Sequence, residues 1–149
     1  MKEREFLGKD IAFLYRYSQK NLDRELAEYG IGSGQFYAMM PLFRQDGMNQ
    51  EALAQSIKVD KAQITRAVQK LVDEGYVVRK RDDEDRRSCR VFLTPKGRKT
   101  ESALTAIARR WEDLLLSGIS LDEREQVRSA IDTMIASVSR DLEGKNGPE

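Results

Sequence analysis

Apolar residues recur along this chain with helical spacing over most of its length and change to alternation in one stretch past the middle. A first helix is expected over residues 5–29, ending at Gly30, where the left-handed turn that closes many helices costs glycine little. At about 100° per residue, Leu7, Ile11, Leu14, Tyr15, Leu22 and Leu26 form one stripe on it, and Phe6, Phe13 and Tyr17 form a second, nearly opposite. A helix with two apolar sides needs two surfaces to bury them. Its own domain supplies one; a second subunit, or a sandwiched position inside one monomer, supplies the other.

A second helix is expected between Ser33 and Gln45, carrying Gln35, Phe36, Ala38, Met39 and Leu42 and closed by the turn Asp46-Gly47. Pro41 lies inside it. A proline there forfeits the bond to the carbonyl of Tyr37 and clashes with it at about 3 kcal/mol, so a kink or break is expected near Tyr37. A short helix then starts at the cap Asn49 with Leu53, Ala54 and Ile57, and Lys58-Val59 makes a tight turn. The next helix has a full set of start signals: Asp60 as N-cap, Gln63 as its capping-box partner, and Val59 and Ile64 placed as a hydrophobic staple. It runs to Gly75, after which the period changes. Residues 76–81 and 88–94 read as two strands of a hairpin joined by the polar loop Asp82, Asp83, Glu84, Asp85, Arg86, Arg87.

Thr94-Pro95 supplies a cap followed by proline at the first helical position, opening one long helix with the stripe Leu104, Ile107, Ala108, Trp111, Leu114 and Leu115 that closes near Gly118. Ser120 and Glu123 form another capping box, opening a last helix with Val127, Ile131, Met134, Ile135 and Val138. The polar tail from Gly144 is expected to fray.

Composition narrows the function. At 149 residues with 40% apolar and 34% charged side chains, the chain fits one folded domain, or a compact core with helical extensions, rather than a disordered segment. No apolar run is long enough for a membrane span, and Met1 to Glu5 do not read as the start of a secretory leader, so a cytoplasmic protein is expected. With one cysteine and no histidine, there is no disulfide within the chain, no expected metal site or cofactor, and no Ser-His-Asp or Cys-His machinery. An enzyme is not expected. The net charge is only +1, but residues 61–98 hold 11 Lys/Arg against six Asp/Glu, leaving 15 against 19 elsewhere. A basic block on an acidic body is what a nucleic-acid face looks like, although a solvated charged surface has the same balance.

The helix after Asp60 locates that face. Ile64, Val68, Leu71 and Val72 share the side that must bury. Ala62, Gln63, Arg66, Gln69 and Lys70 occupy the other, with Thr65 at its flank: small, amide and basic side chains suited to base edges and phosphates. In the hairpin loop, Arg86 and Arg87 stand beside acids, and a carboxylate that orients an arginine makes a pre-shaped donor for a narrow minor groove. Asp85 is assigned that orienting role. Internal ion pairing in a solvated turn is the competing account.

Two short helices, a tight turn and a charged hairpin make the winged helix-turn-helix order. The stretches Val59-Asp60-Lys61-Ala62-Gln63-Ile64-Thr65-Arg66, Gly75-Tyr76-Val77-Val78-Arg79, Asp82-Asp83-Glu84-Asp85-Arg86-Arg87-Ser88 and Val91-Phe92-Leu93-Thr94-Pro95-Lys96-Gly97 resemble the signature of the MarR family of bacterial and archaeal regulators, without a gap. Gln35, Met39, Leu42, Gly47, Leu53 and Ala54 also sit at the family's positions. The resemblance implies a mainly α protein with a small β-hairpin: a winged helix-turn-helix lobe over residues 31–97, with dimerisation helices over 1–29 and 98–143. It implies a homodimeric regulator, usually a repressor, that reads double-stranded DNA at a palindromic operator.

The same resemblance matches Gln63, Thr65 and Arg66 to recognition-helix contacts and Asp85 and Arg87 to paired wing residues. It further implies a small anionic or phenolic effector held between the dimer helices and the DNA-binding lobe, with Tyr15, Tyr37 and Met40 as candidates. Pro41 departs from the family pattern. Cys89 lies after the wing rather than in the first helix, and alternation puts it on the face of Val91 and Leu93, so a buried structural thiol is expected. A winged-helix module that binds protein instead of DNA is the rival reading.

Overall fold

The computed structural model describes residues 6–145. The expected helix start at Glu5 and residues 146–149 of the polar tail lie outside them. The chain runs α1 (Leu7–Leu26), a 3-10 turn (Ala27–Tyr29), α2 (Ser33–Arg44), β1 (Met48–Asn49), α3 (Gln50–Ile57), α4 (Lys61–Asp73), β2 (Val77–Arg81), β3 (Cys89–Leu93), α5 (Pro95–Lys99), α6 (Glu101–Leu116) and α7 (Leu121–Lys145). It divides within α6 into two compact units, Met1–Arg109 and Arg110–Glu149.

The first unit holds one apolar core. Leu22 and Leu26 of α1, Phe36, Met39 and Leu42 of α2, Leu53 of α3, Ile64, Val68 and Leu71 of α4, Val77 and Val91 of the sheet and Leu104 and Ile107 of α6 all belong to it. The inward face of α4 is therefore the expected one, except that Val72 is only half-buried. The hairpin is antiparallel, with Val77 opposite Leu93 and Arg81 opposite Cys89. A third strand joins it: β1 pairs on the other side of β3, Met48 opposite Val91 and Asn49 opposite Arg90, giving the order β1-β3-β2. Two residues are too short a strand for alternation to reveal.

Three expectations change. Pro41 does not break α2, which continues to Arg44. Phe36 and Met39 before the proline and Leu42 after it are all buried, and burial worth roughly 1.5–3 kcal/mol each outweighs the local cost of proline. The long helix after Pro95 is two helices, parted at the buried Thr100, whose hydroxyl donates to the Gly97 carbonyl at 2.6 Å. Finally, the first stripe of α1 buries only its last turns. Leu7, Ile11, Leu14 and Tyr15 stay exposed in the protomer, as do Phe6, Phe13 and Tyr17.

Gly97 shows why α5 is short and tightly seated. A Cβ built there would lie 2.1 Å from the carbonyl oxygen of Tyr76, a backbone atom that cannot swing aside. Gly97→Ala is expected to cost about 1–3 kcal/mol or more, lowering the melting temperature by several degrees. An unchanged thermal melt would show that α5 shifts freely.

In the second unit, Ser120 and Glu123 form the expected capping box at the start of α7. Arg124 donates to the carbonyls of Ile119 and Leu116, and Arg128 bonds Glu112 at 3.0 Å. None of α7 is buried: Val127, Ile131, Met134 and Val138 are exposed. Among the described residues, no helix is long and apolar enough to cross a membrane.

Candidate nucleic-acid interface

The start of α4 is fixed by its own sequence. Asp60 Oδ1 accepts the backbone N–H of Gln63 at 2.7 Å, and Gln63 Oε1 accepts that of Asp60 at 3.1 Å. This reciprocal cap holds the Gln63 side chain at the helix tip with Nε2 left to donate. Bidentate pairing with an adenine, which needs Oε1 as well, would have to open the cap.

Ala62, Gln63, Thr65, Arg66, Gln69 and Lys70 are all exposed, on the face opposite the core. They are not equally available. Thr65 donates to the Lys61 carbonyl at 2.7 Å and accepts from Gln50 at 3.3 Å. Gln69 is occupied twice, by Asp73 and by Arg79 of β2. Lys70 pairs with Glu74 at 3.0 Å. Arg66 has no hydrogen-bond or ion-pair partner among the described residues. The available polar groups thus gather in the N-terminal half of α4, the end that helix-turn-helix proteins present to base edges.

In the wing, Asp85 does not hold an arginine side chain. Its carboxylate accepts the backbone N–H of Arg87 at 3.0 Å, and its carbonyl accepts that of Ser88 at 3.0 Å. A short acidic side chain in a tight turn satisfies local backbone first. The side chains of Arg86 and Arg87 are exposed and have no ion-pair partner among the described residues. Arg87 also borders a groove of about 400 Å³ between the wing and the helices, shared with Gln50, Lys61, Ile64 and Cys89.

The carboxylate that organises the wing is Asp82, which is 5% exposed. It accepts the N–H of Glu84 at 3.0 Å and Asn49 Nδ2 at 3.2 Å, and lies 3.5 Å from Arg90 Nε. The Glu84 amide bond, then the Asn49 amide, hold its pKa below the ordinary value of 3.8, with Arg90 assisting against desolvation. A carboxyl group with a depressed folded pKa contributes stability above its unfolded pKa and loses it as pH falls through the folded one. The wing is therefore expected to keep this tie through the ordinary carboxylate range and to lose it only as pH falls below that range. Asp82→Asn should flatten the acid limb of stability against pH, read as melting temperature between pH 3 and 6. An identical acid limb in the variant would remove Asp82 from the account.

Sequence reasoning passed over Asp82, Asn49 and Gln50 as parts of this face. Asn49 is legible as a helix cap, but its bond to Asp82 spans 33 residues, which no local spacing encodes. Cys89 is half-buried rather than buried, because its thiol sits at the groove edge and donates to Gln50 Oε1 at 3.3 Å.

Of the effector candidates, Tyr37 and Met40 come together with Pro41, Arg44, Met48 and Ile57 around a groove of about 410 Å³. Tyr15 is not among its lining residues. It stays exposed on α1, where its hydroxyl accepts from Gln19 at 2.8 Å.

The MarR family model matches residues 31–89, from just before α2 to the first residue of β3. The HTH-type transcriptional regulator BilQ of Clostridium symbiosum is 31% identical over 103 residues, 69% of this chain and 72% of its own. The crystal structure of a MarR transcriptional regulator from Methanosarcina mazei Go1 is 47% identical, with 92% of this chain and 99% of that one aligned at a TM-score of 0.82. Reduced AbfR bound to DNA shares the fold at 15% identity and a TM-score of 0.74, with 91% and 92% of the chains covered.

Proposed function

Because this chain belongs to the MarR family of transcriptional regulators, and is thus a DNA-binding protein and no enzyme, we propose that it acts in the cytoplasm as a homodimeric repressor reading a palindromic operator. The N-terminal half of α4 enters the major groove, with Gln63 and Arg66 at base edges and Thr65 beside them. The wing reaches the flanking minor groove with Arg86 and Arg87. The observation that carries this reading is the pair of unpartnered cationic sites, Arg66 on α4 and Arg86-Arg87 on the wing, on a rigidly capped helix and a hairpin of one sheet. Exposed arginines with no internal partner are suited to phosphates and narrow grooves.

The apolar residues left exposed on α1 and α7 support the dimer, and the Tyr37–Met40 groove with Arg44 at its edge supports an anionic effector. Retention of genomic fragments by the purified protein, followed by sequencing, tests the reading. A shared inverted-repeat motif is expected, with retention falling as salt rises. A phenolic carboxylate should release the retained DNA from the wild type but not from Arg44→Ala. Retention without any common motif would leave a module that binds protein as the better reading.

A further inference from the structure

We propose that Asn49 is a positioning residue for DNA recognition: its side chain ties the base of the wing to the start of α3, and the neighbouring Gln50 carries that tie on to the recognition helix. The inference rests on the DNA-binding reading above. Asn49 lies where three parts of the lobe meet. Its backbone is in β1, paired opposite Arg90 of β3. Its Oδ1 caps α3, accepting from Glu51 N at 2.9 Å and Ala52 N at 3.3 Å. Its Nδ2 donates to Asp82 Oδ2 at 3.2 Å and to Ser88 Oγ at 2.8 Å. Asp82 and Ser88 are the entry and exit of the wing loop, which Asp82 N closes onto the Ser88 carbonyl at 3.1 Å.

The next residue extends the link. Gln50 Nε2 donates to Thr65 Oγ1 on α4 at 3.3 Å, and Gln50 Oε1 accepts from Cys89 Sγ on β3 at 3.3 Å. Among the described residues, side-chain hydrogen bonds from the N-terminal half of α4 reach the wing base through Gln50, and its neighbour Asn49 holds the wing loop. The residue type carries the argument. Capping α3 requires only an acceptor, which serine, threonine or aspartate would supply equally. Answering a buried carboxylate and a hydroxyl at the same time requires donors on a second atom, and asparagine is the capping residue that accepts with Oδ1 while a separate NH2 group donates twice; a serine or threonine hydroxyl has one proton on the capping oxygen itself. The wing arginines and Arg66 engage adjacent grooves, so the spacing of those contacts depends on this bracket.

The experiment separates bracket from cap. Asn49→Asp keeps the cap but turns an oxygen toward the Asp82 carboxylate; Asn49→Ser keeps the cap and removes the amide NH2 group that reaches both Asp82 and Ser88. Binding is measured on a duplex selected by the wild type from a random-sequence pool, with each variant alone and combined with Arg87→Ala. Either Asn49 variant is expected to weaken binding by about tenfold, the size of a lost hydrogen bond to a charged group, and to add little once Arg87 is gone. Asp82→Asn placed on Asn49→Asp restores a donor–acceptor pair and should recover most of the affinity. An effect below twofold, or one of equal size with and without Arg87, would overturn the inference. A wild type that selects no duplex fails earlier, at the DNA-binding reading, and takes the inference with it.

Discussion

Replacing Ile11 and Leu14 of α1 with aspartate is expected to turn a dimer into monomers and to lower operator affinity by about two to four orders of magnitude. Ile11 is 47% and Leu14 46% exposed in the protomer, so neither substitution disturbs the core around Leu22 and Leu26. Leu7, Phe13, Tyr15 and Tyr17 extend the same helix with further exposed apolar surface, more than scattered exposure on a monomer explains. Burying each such side chain against a partner is worth roughly 1.5–3 kcal/mol, and a carboxylate among them costs more than it displaces. The loss of affinity follows from connectivity: two half-sites bound by joined lobes gain an effective concentration that separate monomers lack. Sedimentation reads the oligomer and a duplex titration reads the affinity. A double variant that still sediments as a dimer places the interface elsewhere.

The second large effect separates helix from wing. Arg66→Ala removes a base-edge donor in each protomer, at about 1–3 kcal/mol per half-site, so a dimer should lose roughly 30-fold to more than ten-thousandfold on its selected duplex. Random duplex should lose much less, because base identity is what the major groove reports. Arg87→Ala should weaken selected and random duplexes more evenly, since a minor groove is read by width and potential. If Arg87 neutralises one phosphate per protomer, the slope of log affinity against log salt should flatten by about 1.8. Asp85→Ala is expected to act through the loop backbone, because its carboxylate holds the Arg87 amide and not the guanidinium. Were Arg87→Ala to leave affinity and slope unchanged while Arg66→Ala behaves as described, the wing would be a solvated loop.

The elements were legible wherever the signal is local. The Asp60–Gln63 and Ser120–Glu123 boxes and the Asn49 and Thr94 caps all form as the residue types demand. The hairpin and the buried face of α4 follow from the change of period at Gly75. What escaped depends on distance in sequence. The two-residue strand β1 and the bonds from Asn49 to Asp82 and Ser88 are made by partners more than 30 positions apart. Pro41 misled in the opposite direction: a local rule predicted a kink or a break, and α2 runs unbroken through the proline with Phe36, Met39 and Leu42 all buried. The exposed face of α4 was read correctly as a list of side chains, yet only the structure separates the unpartnered Arg66 from Gln69 and Lys70, which their neighbours hold.

The most direct test is a backbone-cleavage footprint on the duplex selected by the wild type, run together with a stoichiometric titration. Two protomers per duplex are predicted, protecting two inverted half-sites whose centres lie about one helical turn, or a whole number of turns, apart. Protection in the flanking minor grooves should vanish selectively in Arg87→Ala. One protomer per duplex, a protected segment without inverted symmetry, or a footprint that neither Arg66→Ala nor Arg87→Ala alters would contradict an operator read by α4 and the wing of a dimer.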